Sequence, residues 1–585
     1  MRKQTSFSSI AISTLIGYVF VLWAAVLAAP VLNQGGNIFE MAMRFMPLLE
    51  TPFYLTWQAN TPKTILIATG LYMFAIFAIH VHKRNTRFGE EHGSASWGDV
   101  NRLCRKYRDR KSKTQNRIFT KNFQMGMDMR RINRNLHALI IGGPGTGKSR
   151  YYVTPNILQC NSSYIITDPK GELLKATGWL LRLMGYEIRV FDLSHPTKSK
   201  CYNPFFYIRN DMDVLTLTTN LINNTEVKGA QVNDPYWKNS EQGLLSALMF
   251  YLLEEAPLYE QNFAMVLTML RHMERSNEEG IPSPVEILFE ELSYKNPDSI
   301  AVKQFAIYKS APEKAKAQIV NCTATRLNKF NVKEYGRITS SDNMDLGSIG
   351  ERKVALFSCT PVNDATMNFL ISMMYTQAFQ ILMNETAEKY GGRLPVHVHC
   401  LLDEFANIAM PENFERILAT TRSYEISFSI VIQSITQLKA RFKDEWEAIV
   451  SDCDELLYLG GNEQSTFEYL SKIFDKETLD TNSYGRTRGR NGSYSTNYQN
   501  AGRDLMTAGE IRLLDNDNAF LLIRGERPIM DVKYDLKKHP NIKFSSHGEG
   551  KEFHYDVDLP TPRYTRPDEC RVMSGDEAVS LMRTA

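Results

Sequence analysis

The stretch His137-Ala-Leu-Ile-Ile-Gly-Gly-Pro-Gly-Thr-Gly-Lys-Ser149 decides how this chain is read. Its first part is a short apolar strand, and its second part has the full G-x4-G-K-S spacing of a phosphate-binding loop. Glycines let successive backbone N–H groups converge on phosphate oxygens, and the helix expected next adds the positive end of its dipole. Gly142, Gly143, Pro144, Gly145, Thr146 and Gly147 would form the cradle. Lys148 would reach the β- and γ-phosphates, and the Ser149 hydroxyl would hold Mg2+. ATP and Mg2+ are therefore the expected ligands. A match of this length also arises by chance, so the weight falls on its surroundings: a strand before it, helix-compatible sequence after it, and an acidic motif downstream.

That motif is Val396-His-Val-His-Cys-Leu-Leu-Asp403-Glu404. A buried strand ending in Asp-Glu places carboxylates at the C-terminal edge of a sheet, where α/β proteins bind ligands. Asp403 is expected in the Mg2+ shell, and Glu404 is expected to orient or deprotonate the attacking water. His397 and His399 share one face of this strand; a metal site needs more ligands, so packing within the sheet is the favoured role. Phe428-Ser-Ile-Val-Ile432 reads as a further strand, ended by Gln433. Gln433 is either an ordinary strand-end glutamine or a sensor of the γ-phosphate and its water. Arg422 is either a surface arginine or, in a ring of subunits, a finger on a neighbour's phosphate.

Outward from the site, apolar runs recur at Tyr164–Thr167, Ile188–Phe191, Val354–Ser358, Leu456–Leu459 and Phe520–Ile523, many separated by helix-length segments. This predicts an α/β fold with a mostly parallel sheet. Residues 211–345 break the rhythm. Leu244, Leu245, Leu248, Tyr251 and Leu252 fall on helical spacing there, so an all-α insert is expected between the two nucleotide motifs.

Upstream, no charged residue occurs from Ile10 to Leu32 or from Thr64 to Val81. Both runs suit membrane-crossing helices. Arg2 and Lys3 precede the first, and Lys83, Arg84 and Arg87 follow the second. The positive-inside rule then puts both termini in the cytoplasm, with a short external loop. A cleaved signal peptide or a buried hairpin are the rival readings of these runs. The expected organisation is an anchor over 1–87, a first part of the nucleotide-binding domain over 88–210, the all-α domain over 211–345, its second part over 346–540 and a tail over 541–585.

Net charge is only +3, so any basic surface is local. Arg102 to Lys121 is dense in cations and reads as a solvated juxtamembrane face, with nucleic-acid phosphates as the sharper alternative. Thr481 to Arg503 interleaves Arg, Tyr, Gly and Ser. That composition suits single-strand stacking and a solvated loop equally. The eight cysteines form no CxxC pair, which leaves zinc and redox motifs unsupported.

Taken together, the chain resembles the type IV coupling proteins of conjugation and type IV secretion, the TraG/TraD-like group. The resemblance rests on the two spans, Gly93-Ser-Ala-Ser-Trp97, the phosphate loop, Thr167-Asp-Pro-Lys-Gly-Glu172 and Tyr202-Asn-Pro-Phe205. It continues through the helical insert, Leu401-Leu-Asp-Glu-Phe-Ala-Asn407, the Arg422/Gln433 pair and Arg503-Asp-Leu-Met-Thr-Ala-Gly-Glu510. It implies a RecA-like motor bearing an all-α domain, assembled as a homo-hexamer at the membrane. Such a motor would receive a relaxase–single-stranded DNA complex, link it to the secretion channel and drive export. It also implies a trans-acting Arg422, a sensor Gln433, and positions for Asp168 and Glu172 beside the phosphate loop. The alternatives are another membrane DNA translocase, or a nucleotide-regulated secretion adaptor that does not pump.

Overall fold

Nine strands form one sheet in the computed structural model, which describes residues 7–34, 36–81, 92–225, 235–274, 282–361, 366–408, 410–411, 413–486 and 494–556. They are β1 (Ala138–Ile141), β2 (Ser163–Thr167), β3 (Glu187–Asp192), β4 (Val354–Cys359), β5 (Val398–Leu402), β6 (Ile426–Ile432), β7 (Glu455–Tyr458), β8 (Asn518–Ile523) and β9 (Ile529–Val532). Their spatial order is β9-β8-β7-β1-β6-β5-β2-β4-β3. Every pairing from β7 to β3 is parallel, and the only antiparallel pairings of this sheet are those of β8, with β7 and with the edge strand β9. The central strands are buried along their whole length, which is why they read as unbroken apolar runs. The α/β class and mostly parallel sheet expected from those runs are what forms.

Between the adjacent strands β3 and β4 the described regular elements are all helical, with Asp211–Thr225, Pro235–Glu255, Phe263–Glu274, Pro284–Lys295, Ile300–Lys309, Glu313–Leu327 and Lys333–Ser340 as the α-helices. Their side chains join the cluster that covers one face of the sheet. Phe289 stacks on Phe305 at 3.9 Å and Phe263 on Phe330 at 4.9 Å. The partly buried Arg326 holds the buried Glu241 at 2.8 Å and donates to the Ile222 carbonyl at the end of another helix.

The short motifs that carried the resemblance fasten this unit. Trp97 stacks on Phe520 with centroids 5.7 Å apart and lies equally close to Phe474. Asn203 caps the turn at Pro204–Tyr207. Thr507 and Glu510 form a reciprocal capping box.

The N-terminal segment through His92, together with Thr478–Ala501, makes a second compact unit. Helix Phe7–Asn33 packs on helix Thr61–Val81, with Tyr18 Oη 3.2 Å from Thr69 Oγ1 and Tyr72 Oη donating to the Thr14 carbonyl at 2.8 Å. Both helices are long and apolar enough to cross a membrane. Leu15, Phe20, Leu66, Leu71, Phe74 and Phe77 turn outward, unlike the side chains of a buried hairpin.

Two readings change. Arg117 is not on a solvated face: it is 1% exposed, donates to the Leu136 carbonyl and reaches Ser427 Oγ at 2.7 Å. It lies on a small strand, Asn116–Ile118, paired antiparallel with Gln124–Gly126. Within 481–503, residues 487–493 lie outside the described residues, and the flanking Lys476–Arg486 and Tyr494–Asp504 pair as a two-stranded sheet. Arg2, Lys3, Lys83, Arg84, Arg87 and 557–585 also lie outside them.

Candidate nucleotide site

The phosphate loop leaves β1 at the centre of the sheet. Its first two N–H groups extend the ladder: Gly142 donates to the Ile432 carbonyl at 3.0 Å, and Gly143 to the Gly460 carbonyl at 2.9 Å. The loop then turns through Gly145 (φ 78°) and Gly147 (φ 81°), both in the left-handed region open to glycine. At Gly147 the need is double, because a Cβ would also meet the Tyr151 ring at 2.5 Å. Thr146 ties the turn by donating its hydroxyl to the Gly143 carbonyl at 2.8 Å.

Lys148 folds back along the loop and donates to the carbonyls of Gly142 and Gly143 at 2.8 and 3.3 Å. Burial lowers its pKa, with Asp403 and Glu404 opposing the shift. Ser149 donates its hydroxyl to Asp403 Oδ2 at 2.8 Å. The sheet order explains the meeting: only β6 separates the loop's strand β1 from β5, which ends at Asp403. Asp403 is 7% exposed, and burial raises its pKa, while the bonds from Ser149 and from the Glu404 N–H resist the rise.

Glu404 adopts φ 51°. A left-handed non-glycine residue costs about 1 kcal/mol or more and clusters at functional sites. Its carboxylate accepts from Asn407 Nδ2 at 3.3 Å. Asp168 follows β2 and takes the Leu174 N–H at 2.8 Å, so it caps helix Glu172–Leu183. Burial raises its carboxyl to about 6, and the Asp403 and Glu172 carboxylates add to the effect.

Gln433 leaves β6 beside the loop, and its N–H donates to Gln437 Oε1 at 3.0 Å. Arg422 is exposed and reaches Asn133 Oδ1 at 3.4 Å, away from Lys148 and Ser149. The paired histidines pack as a ladder: His397 Nε2 lies 2.8 Å from Ser427 Oγ, and His399 Nε2 lies 2.8 Å from Ser429 Oγ.

Three features escaped the sequence reading. Gly460 and Gly461 bring the end of β7 against Gly143, a pairing that the Gly-Gly dipeptide after Leu456–Leu459 could have suggested. Glu463 caps helix Gln464–Phe474 and accepts the Thr436 hydroxyl at 2.7 Å, which binds that helix to the segment after Gln433. Lys533, just past β9, donates to the Thr146 carbonyl at 3.3 Å. Nothing local in the sequence marked it.

Known proteins share this chain's sequence pattern and fold. Residues 96–536 match the family model described as type IV secretory system conjugative DNA transfer. Protein VirD4 of Rhizobium radiobacter is 23% identical over 497 residues, covering 82% of this chain and 69% of its own. Conjugal transfer protein TraG of Escherichia coli is 25% identical over 417 residues, covering 65% of this chain and 62% of its own. Among solved structures, the bacterial conjugative coupling protein TrwBdeltaN70 in an unbound form aligns with TM-score 0.55 at 16% identity, covering 78% of this chain and 98% of that one. The plasmid coupling protein TrwB in complex with ADP and Mg2+ aligns with TM-score 0.52 at 17% identity, over 75% and 92%. The structural likenesses establish a shared fold, and the family model spans most of the sequence: the chain belongs to the type IV secretory system conjugative DNA transfer family.

Proposed function

We propose that this chain is a membrane-anchored ATPase that couples a relaxase–single-stranded DNA complex to a type IV secretion channel and drives conjugative DNA export by hydrolysing ATP. The observation that carries the reading is the 2.8 Å bond from Ser149 to Asp403, which joins the phosphate loop to the acidic strand end. A hydroxyl, a carboxylate and an ammonium converge there, a donor set that fits a Mg2+–nucleotide complex. TrwB, of similar fold, has been solved with ADP and Mg2+.

Ser149 and Asp403 would hold Mg2+, and the Gly142–Gly147 loop with Lys148 would hold the phosphates. Bound there, Mg2+ neutralises phosphate charge and polarises the terminal phosphoryl group. Glu404, oriented by Asn407, accepts a proton from the attacking water. Gln433 senses the terminal phosphate from the end of β6, and Arg422 completes the site of a neighbouring subunit in a homo-hexamer. Residues 1–87 form the anchor, with both termini and the ATPase part cytoplasmic. Residues 88–210 and 346–540 make up the nucleotide-binding domain, 541–585 the tail, and the helical block 211–345 receives the cargo.

The test uses full-length protein in detergent together with transfer of a marked plasmid. Lys148→Ala and Glu404→Gln are expected to abolish ATP hydrolysis, its stimulation by single-stranded DNA, and plasmid transfer, while membrane insertion persists. Normal transfer by either variant would sink the reading.

A further inference from the structure

We propose that Lys533 is a positioning residue of the nucleotide site, fastening the second half of the phosphate loop and adding a second positive charge beside it. The inference rests on the reading above that this loop binds nucleotide phosphates. It adds a residue that lies far from the loop in sequence and outside the motifs that identify the site.

Lys533 is placed from two directions. It follows β9, the last strand of the antiparallel edge, and its own N–H donates to the Asp517 carbonyl at 2.7 Å. Its ammonium donates to the Thr146 carbonyl at 3.3 Å and lies 5.3 Å from the centroid of the Tyr151 ring. That ring lies against Gly147, where an added Cβ would come within 2.5 Å of it. One side chain therefore touches the loop at a carbonyl and, through an aromatic face, at its last glycine. Lys148 occupies the carbonyls of Gly142 and Gly143 at the other end, so two ammonium groups bracket the loop.

The surroundings of Lys533 are poor in counter-charge. The residue is 5% exposed, yet among the described residues its ammonium forms no ion pair with a carboxylate. Asp515 and Asp517 act on it only at longer range, and burial lowers its pKa. A buried ammonium without a paired anion costs stability, and a neutral side chain of similar length would fill the space more cheaply. The arrangement makes sense if the anion arrives with the ligand. A polyphosphate seated in the loop would supply the anion that the Lys533 ammonium lacks, and the field of Lys533 would act on it through the loop it holds.

The experiment measures dissociation constants of fluorescent adenosine tri-, di- and monophosphate analogues on full-length Lys533→Met and Lys533→Gln proteins in detergent, with Lys533→Arg as the charge-keeping control. Both neutral variants are expected to bind the triphosphate about tenfold more weakly, because each removes the positive charge beside the loop. The loss should shrink as phosphates are removed, be largely restored by Lys533→Arg, and leave kcat at saturating ATP within about twofold. Gln keeps a donor for the Thr146 carbonyl, so it separates charge from tethering if the Met variant folds poorly. Unchanged triphosphate affinity in a folded Gln variant overturns the proposal, as does a loss equal for all three analogues. Failure of the wild-type protein to bind any analogue would instead defeat the underlying reading of the loop.

Discussion

Ser149 and Asp403 stand 254 positions apart in the chain and 2.8 Å apart in space, hydroxyl to carboxylate. The contact spends the hydroxyl proton on one carboxylate oxygen, while the Glu404 N–H takes the other at 3.0 Å. Both oxygens of a buried acid are thus engaged before any cation is considered.

Asp403→Asn tests what that burial is for. Burial raises the folded-state pKa of Asp403, so the stability it contributes is greatest at low pH and is lost as pH rises through the folded value. Removing the ionisable group should leave the thermal midpoint without nucleotide at neutral pH equal to or above wild type. The same variant should lose the extra stabilisation that Mg2+ and ATP give together. Scanning calorimetry with and without the pair measures both, and a large drop in the nucleotide-free midpoint would show that Asp403 is a structural acid instead.

Glu455 offers a sharper pH prediction. It is fully buried on β7, neither carboxyl oxygen has a hydrogen-bond partner among the described residues, and burial pushes its pKa up to about 8 despite the nearby Arg117. The carboxyl is therefore protonated in the folded state at neutral pH. Because the folded pKa lies above the ordinary 4.5, stability is lost as pH rises from 4.5 through about 8. Urea midpoints of the wild type should fall across pH 6–9, and Glu455→Gln should flatten that part of the slope. Parallel slopes for the two proteins would refute the assignment.

Arg117 shows where sequence reading stops. Eight of the nine sheet strands were legible because strands buried on both faces must be apolar throughout. The strand β9 was not: Ile529-Met-Asp-Val alternates buried and exposed and follows Pro528, so it looks like a loop. Arg117 sits in a run of cations whose neighbours Arg110 and Lys113 are exposed, and composition cannot say which member turns inward. The phosphate loop and the acidic strand end were legible as motifs. Lys533 was not, because only the sheet order brings it to Thr146.

A stability comparison follows from that burial. Arg117→Ala removes a guanidinium bound to the Leu136 carbonyl and Ser427 Oγ and leaves a cavity under the sheet. The expected loss is about 3–5 kcal/mol, against less than about 0.5 kcal/mol for Lys113→Ala. Urea unfolding of the two variants side by side reads the difference. Equal, small losses would return Arg117 to the solvated face that its sequence neighbours suggest.

The role of Arg422 is decided by mixing subunits. Its side chain is exposed and, among the described residues, hydrogen-bonds to Asn133 Oδ1 at 3.4 Å. Removing it should therefore cost less than about 0.5 kcal/mol of stability. If each Arg422 serves a neighbour, Arg422→Ala protein keeps an intact loop but cannot complete the next site. Lys148→Ala protein has the opposite defect, since it cannot use nucleotide yet still presents Arg422. Each alone should be inactive in ATP hydrolysis. In a mixed ring, an Arg422→Ala site flanked by a Lys148→Ala subunit regains every required group, so the mixture should hydrolyse ATP faster than either parent. A purely intramolecular role predicts no recovery at any ratio, and that outcome would remove Arg422 from the proposed mechanism.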